Sequence, residues 1–134
     1  MKQYVMDACA ALAALNNELG AERVDALMAS DARIFMSSVN ALEVCYDMAR
    51  RSGSMTQVKM TLDELLSWPV EMVYQLDEDM LLAAAKFKTK NRMSLADAIA
   101  LGLAQVYGAT LITADHHEFD PLEAAGLAEF EWIR

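Results

Sequence analysis

The chain has 134 residues, of which 55% are hydrophobic, and a net charge of −9, which suits one domain with a substantial core. The acidic balance argues against broad nonspecific nucleic-acid binding through a basic surface, although it allows a local basic rim around a metal-loaded site. No segment approaches the roughly 18 apolar residues of a membrane span, and no signal peptide is recognisable. We therefore expect a cytoplasmic protein that does not contact a membrane.

Strand and helix patterns alternate along the whole sequence. Strands are predicted at 3–6, 34–36, 70–76, 110–113 and 130–133, and helices at 8–16, 21–30, 38–51, 62–67, 77–88 and 95–107. Only a turn at Gly126 is predicted between the last two strands. This order predicts a three-layer α/β/α sandwich with a mostly parallel sheet of about five strands, forming one domain over residues 1–134.

The third predicted helix contains an acid, and the sequence pattern alone does not show whether this acid lies on the buried or the exposed side of the helix. A buried stripe is predicted on one side of this helix, at Leu42, Cys45, Tyr46 and Ala49. Glu43 would lie nearer the other side, either as an ordinary solvated acid beside Asp47 or as a residue of a site. Both interpretations stay open at this point.

A buried helix and strand near the end of the chain each have an acid at one end. Ser94 is a good N-cap for a helix that has hardly any polar face, yet this helix contains Asp97 in its first turn. Asp97 could complete an S-x-x-D capping box, and Asp115 could be an Asp in the turn after a strand. Either acid could instead belong to a site.

The predicted fold brings four acids to one edge of the sheet. Asp7 and Asp115 follow strands, whereas Asp97 and Glu43 lie near the starts of helices that follow that edge. Four unpaired carboxylates in one crevice repel each other unless a hard divalent ion balances them, and oxygen ligands favour Mg²⁺ or Mn²⁺. Such an ion can activate water and neutralise a phosphodiester, so the predicted chemistry is phosphodiester hydrolysis.

Four segments carry a resemblance to a known family. The chain resembles the PIN domain family, and most of all its VapC-type toxins from prokaryotic toxin–antitoxin pairs, in YVMDACA at 4–10, SSVNALE at 37–43, SLADA at 94–98 and TAD at 113–115. The resemblance spans nearly the whole chain. It implies a magnesium-dependent ribonuclease, usually a homodimer, that is held inactive by a cognate antitoxin protein.

The resemblance also implies a role for individual residues. Asp7, Glu43 and Asp97 match the core metal ligands of the family, and Asp115 matches a fourth acid that acts directly or through water. Thr113 matches a supporting hydroxyl residue two positions before that acid. Cys9 stands where many relatives carry Ser or Thr. Apart from the resemblance, Cys9 and Cys45 are expected to be reduced core residues, because they lack zinc-ligand spacing.

The remaining candidates are basic and aromatic residues. The basic cluster Lys86, Lys88, Lys90 and Arg92 is either a solvated loop or a phosphate-binding rim for RNA. We expect His116 and His117 to be exposed loop residues, and Trp68 and Trp132 to be packing or dimer contacts.

Two other functions remain open. The first is a PIN-fold RNA-binding module that holds RNA without cutting it. The second is a phosphoacceptor receiver domain, which would need adjacent acids after the first strand, where Ala8 follows Asp7 here.

Overall fold

The computed structural model describes residues 2–134, which form five strands and seven helices. The elements, in chain order, are β1 Gln3–Met6, α1 Ala8–Leu15, α2 Ala21–Ala29, β2 Arg33–Ser37, α3 Ser38–Ser52, α4 Met55–Ser67, β3 Glu71–Val73, α5 Glu78–Lys90, α6 Leu95–Tyr107, β4 Thr110–Thr113, α7 His116–Ala124 and β5 Phe130–Trp132. None of these helices is long and apolar enough to cross a membrane.

The sheet is parallel throughout, with the strand order β3-β2-β1-β4-β5. β2 and β3 lie on one side of β1, whereas β4 and β5 lie on the other side. The direction in which strands are added therefore reverses between β1 and β4. Ligands of open parallel sheets bind at such a reversal, beyond the carboxyl ends of the strands. The strand order also excludes the receiver domain, whose fold has the order 2-1-3-4-5.

Helices cover both faces of the sheet and enclose two hydrophobic clusters. One cluster joins α1 to α4 with the sheet side chains Tyr4, Met6 and Ile112, whereas the other joins α5 to α7 with Val5 and Leu111. Neighbouring strand residues thus face opposite clusters, as expected for strands buried on both faces. The predicted three-layer α/β/α architecture with five strands is confirmed.

One close contact between helices fixes the layer formed by α5 and α6. A Cβ atom added to Gly102 would lie 2.8 Å from the backbone nitrogen of Ala84, nearer than side-chain carbons come in proteins. The absence of a side chain at Gly102 therefore lets α6 approach α5 closely, and α6 carries Asp97 in its first turn.

The structure corrects the predicted connection between β4 and β5. This connection contains helix α7, which the sequence pattern missed because Pro121 and two histidines suggested a turn. Asp115 caps α7, while Phe119 and Leu122 bury their side chains beneath it. Since His116 and His117 begin this helix, they are not loop residues.

Four smaller expectations were also wrong. Leu42 and Tyr46 of the predicted buried stripe are 66% and 67% exposed, because α3 turns Asn40, Ala41 and Val44 inward instead. Helix α4 begins at Met55, seven residues earlier than predicted, and β3 is shorter than predicted. Met80 and Ala84 of α5 point inward as expected, but Leu81 is 54% exposed.

Candidate active site

Asp7 lies immediately after β1 and is almost completely buried, with 3% of its surface exposed. One carboxylate oxygen caps α1 by accepting a hydrogen bond of 2.9 Å from the Ala10 N–H. Burial raises the pKa of Asp7 to about 7, and the charges of Asp97 and Asp115 add to this effect. The Thr113 hydroxyl and the Ala10 N–H oppose the increase, because both favour the carboxylate form.

Asp115 is brought beside Asp7 by the pairing of their strands. Met6 is the partner of Ile112, so β1 and β4 end next to each other, and the Asp7 N–H donates to the Ile112 carbonyl. The Asp115 N–H donates to the hydroxyl oxygen of the fully buried Thr113 at 3.0 Å. The Asp115 carboxylate also caps α7. Thr113 thus orients the turn that carries Asp115 and also influences the carboxyl group of Asp7.

Asp97 occupies the first turn of α6, and the side chain of Ser94 caps this helix by accepting the Asp97 N–H at 3.1 Å. The capping interpretation is therefore correct for Ser94. Asp97 is half-buried, and burial raises its pKa to about 6, with further contributions from the charges of Asp115 and Glu43. Asp97 consequently belongs both to a helix start and to a group of acids.

Glu43 is held by a buried residue that the sequence analysis did not single out. Asn40 is fully buried, and its side-chain amide donates to the Glu43 carboxylate at 3.0 Å and to the Ala96 carbonyl at 3.3 Å. These bonds connect α3 with the start of α6, next to Asp97. A sequence signal existed, because Asn40 is a polar residue one helical turn before Glu43, next to the buried positions of α3.

The four predicted acids line one cavity of about 310 Å³, together with Cys9, Ser94, Tyr46 and Arg50. The Cys9 sulfur accepts a hydrogen bond of 3.3 Å from the Ala114 N–H, which connects α1 to the turn before Asp115. Burial and the charge of Asp7 raise the pKa of the Cys9 thiol to about 12, so the thiol stays protonated. Both cysteines are free, as predicted, but both are only half-buried, so neither is a core residue, and Cys9 borders the cavity.

The charges around this cavity are unbalanced. Arg50 is the one cationic side chain among the described residues that line it, and Arg50 already pairs with Asp47 at 3.1 Å. Burial, together with repulsion from neighbouring acids, therefore keeps the carboxyls of Asp7 and Asp97 protonated to a higher pH than usual.

The donor set fits a hard divalent ion, because all four acids offer oxygen atoms, which suit Mg²⁺ or Mn²⁺. Such an ion would also balance the charges that raise the pKa values of Asp7 and Asp97. Within residues 2–134, no three His, Cys, Asp or Glu side chains are close enough to surround one ion. Mg²⁺ commonly binds one or two carboxylates and keeps several waters, so it does not require such a cage.

The four basic residues do not act as one group. The last turns of α5 contain Lys86, Lys88 and Lys90. The Lys88 ammonium already donates a hydrogen bond of 2.8 Å to the Met93 carbonyl. Lys90 and Arg92 line a cleft of about 600 Å³ that reaches the start of α7 at Glu118. Lys86 lines two grooves that it shares with Gln105 of α6, and one of these grooves also includes Lys90.

His116 contributes to structure at the edge of the site. Its ring stacks on Trp132 with a centroid distance of 3.8 Å, and its two nitrogens lie 2.8 Å from an Asp120 carboxylate oxygen and from the Arg134 carbonyl. Trp132 also stacks on Phe130, and Trp68 packs against a core cluster, which confirms packing roles for both tryptophans. His116 therefore anchors α7 to the segment that includes β5.

The sequence matches the family model of the PIN domain over residues 4–123, which is most of the chain. The chain belongs to the PIN domain family. This match includes all four acids of the cavity. No curated protein matches the sequence.

Solved structures show the same fold at low sequence identity. The chain is similar to a chain in the structure of DNA-bound VapBC from Salmonella typhimurium. The TM-score is 0.75, the sequence identity is 16%, and 100% of both chains is covered. For VapBC2 from Rickettsia felis bound to a promoter DNA fragment, the TM-score is 0.74 and the identity 18%, covering 96% of this chain and 97% of that one. VapC20 from Mycobacterium tuberculosis, described as a sarcin-ricin loop cleaving toxin, gives a TM-score of 0.65 and 19% identity, covering 94% and 97%.

Proposed function

We propose that this PIN domain is a magnesium-dependent ribonuclease and the toxin of a toxin–antitoxin pair. One observation carries the proposal. Carboxylates from four separate elements line one cavity where the strand order reverses, and two of them have raised pKa values. An RNA-binding module would not need this arrangement, because carboxylates repel phosphates unless a cation stands between them.

In this proposal Asp7, Glu43 and Asp97 hold the metal ion, in part through its coordinated waters, and Asp115 contacts it directly or through water. A bound Mg²⁺ or Mn²⁺ supplies charge neutralisation and lowers the pKa of a coordinated water. The chain itself provides orientation. Asn40 holds the Glu43 carboxylate, and Thr113 and Cys9 hold the backbone of the turn before Asp115.

The proposed substrate is RNA, with Lys90 and Arg92 as the best placed of the four basic residues for contacting flanking phosphates. Solved structures of similar fold include a toxin described as cleaving the sarcin-ricin loop and several complexes described as VapBC or toxin–antitoxin. These descriptions support a cognate antitoxin as the partner, and the cytoplasm is the proposed location of the pair. The exposed apolar residues, among them Leu81 and Leu82 on α5, offer surface for the proposed homodimer.

Cleavage of total RNA by purified protein, with Mg²⁺, Mn²⁺ or EDTA, tests the proposal. The variants Asp7→Asn and Asp97→Asn remove one charge each from the cavity with little change in shape. Asp25→Asn is the matched control, because Asp25 is exposed on α2 and lies outside the cavity.

We expect cleavage by the wild type and by Asp25→Asn with either metal, none in EDTA, and a loss of at least about a hundredfold in the two cavity variants. Folded protein that binds Mg²⁺ but cuts no RNA would contradict the proposal. Cleavage that persists in EDTA or in both cavity variants would contradict it as well.

A further inference from the structure

Tyr46 combines two properties that rarely occur together. Its side chain is 67% exposed, and it lines the same cavity as the four carboxylates. An exposed aromatic ring gains nothing from the hydrophobic effect until something covers it. The wall of the cavity near α1 includes the apolar side chains of Ala8 and Leu12. Charged and apolar surfaces therefore meet in one small space.

The helix places Tyr46 between an acid and a cation. Glu43, Tyr46 and Arg50 follow each other at spacings of three and four residues, and all three line the cavity. They therefore form one continuous stripe along α3. The ring lies one turn beyond Glu43, and the guanidinium of Arg50 lies one turn beyond the ring.

Arg50 keeps a share of its positive charge. The Asp47 carboxylate accepts from Arg50 at 3.1 Å and from Arg51 at 2.8 Å, so two guanidinium groups share one carboxylate and leave one net positive charge. The Arg50 side chain is 63% exposed, so a ligand in the cavity can reach it without displacing other residues from the core. An exposed guanidinium is suited to a phosphate, which it can bind through two donors.

We propose that Tyr46 and Arg50 form a nucleotide-binding subsite for single-stranded RNA, which deepens the proposed ribonuclease function and rests on it. The Tyr46 ring stacks on the base of a nucleotide next to the cleaved phosphate, and Arg50 contacts a flanking phosphate. Stacking suits this place because every base has a π-face, so one ring can hold different sequences. Tyr46 and Arg50 lie one helical turn apart, so one can contact a base while the other contacts a phosphate.

The chemistry of the cavity favours RNA over a protein segment. The stripe begins at Glu43, a residue of the proposed catalytic group, so a ligand bound over Tyr46 lies in the same cavity as the carboxylates. A nucleotide can stack on the ring and bind the guanidinium at once, and its phosphate is the group whose charge the proposed metal ion would neutralise. The unpaired carboxylates alone would repel the strand, which makes separate anchoring by Tyr46 and Arg50 useful.

The test compares matched variants in two separate assays. Tyr46→Ala removes the ring and Tyr46→Phe retains it, while Tyr74→Ala removes a tyrosine that is 70% exposed outside the cavity. Arg50→Ala is paired with Arg51→Ala, since both arginines bind Asp47 but only Arg50 lines the cavity. Binding of a fluorescein-labelled pool of random single-stranded RNA is measured by anisotropy with Mg²⁺ in the Asp97→Asn background, which prevents cleavage. Cleavage kinetics are measured in the otherwise wild-type protein.

We expect Tyr46→Ala to weaken binding and raise KM by about tenfold with a small change in kcat, whereas Tyr46→Phe and Tyr74→Ala stay near the parent protein. Arg50→Ala should weaken binding several-fold more than Arg51→Ala. Equal binding by Tyr46→Ala and Tyr74→Ala would overturn the subsite, even if the wild type cleaves RNA normally. Binding that depends on Tyr46 without any cleavage by the wild type would support the subsite and contradict the nuclease. Intact RNA binding with weakened capture of a co-expressed antitoxin would assign Tyr46 to the protein partner and overturn the proposal.

Discussion

Replacing Asp7 by Asn should stabilise the metal-free protein at alkaline pH. Asp7 is buried, and its pKa rises from 3.8 to about 7 in the folded state. At about 1.36 kcal/mol per pKa unit, keeping this carboxylate charged costs up to about 4 kcal/mol of unfolding free energy. Asn cannot ionise, yet it caps a helix as well as Asp does, so it retains the bond from the Ala10 N–H.

The sign of the pH dependence follows from the raised pKa. An acid that holds its proton more tightly in the folded state makes the fold more stable as pH falls from above about 7 toward about 4. The advantage of Asp7→Asn should therefore be largest near pH 8, at up to about 4 kcal/mol, and should shrink to nearly nothing near pH 4.

Urea unfolding in EDTA across this pH range measures the effect, with Asp25→Asn as the control for losing an exposed acid. Added Mg²⁺ should reverse the order at alkaline pH, because it binds and stabilises the wild type but not the variant. An Asp7→Asn protein that is equally stable or less stable than the wild type at every pH would refute the reasoning about the buried charge.

Three further predictions concern residues around the site. Asn40→Ala should lower the unfolding free energy by about 1–3 kcal/mol and weaken Mg²⁺ binding, because the Glu43 carboxylate loses its hydrogen-bond donor. Urea unfolding measures the first effect and calorimetric titration the second, and an unchanged Mg²⁺ affinity would contradict the positioning role of Asn40. Gly102→Ala should destabilise the protein by about 1 kcal/mol in thermal unfolding despite the better helix propensity of Ala, because the new methyl group would clash with Ala84. A gain in stability would show that α5 and α6 separate easily. The pKa of His116 is raised by its bonds to the Arg134 carbonyl and Asp120, so its contribution to folding stability is complete below about pH 6.5 and is lost as pH rises through the folded pKa. His116→Gln should therefore cost more stability at acidic than at alkaline pH. An NMR titration that gives His116 a lowered pKa would refute this.

The architecture could be predicted because alternation of strands and helices is a strong constraint. Short apolar strands followed by capped helices indicate parallel strands, and parallel strands end at one edge. Helix α7 was missed because its signals are weak over nine residues and Pro121 interrupts them. The orientation of α3 was also wrong, since a stripe of large side chains was taken to be buried while Asn40 and Ala41 actually face inward.

The candidate site followed from topology more than from any single motif. Glu43, Asp97 and Asp115 each had an ordinary explanation, and only the common sheet edge linked them with Asp7. The spacing of Asn40 and Glu43 was a weak signal, but the contact of Asn40 with Ala96 of another helix, 56 residues away in sequence, could not be predicted. Tyr46 was assigned to the core for the same reason that α3 was misoriented, and the three-dimensional structure was needed to place its ring in the cavity.

A crystal grown with Mn²⁺ and measured for anomalous scattering tests the central claim most directly. The account predicts one or more Mn²⁺ peaks in the cavity, each within about 2–2.5 Å of carboxylate oxygens from at least two of Asp7, Glu43, Asp97 and Asp115. The Asp7→Asn protein should lose or weaken these peaks under the same conditions. A Mn²⁺-activated protein whose only anomalous peaks lie away from these four acids would contradict the account.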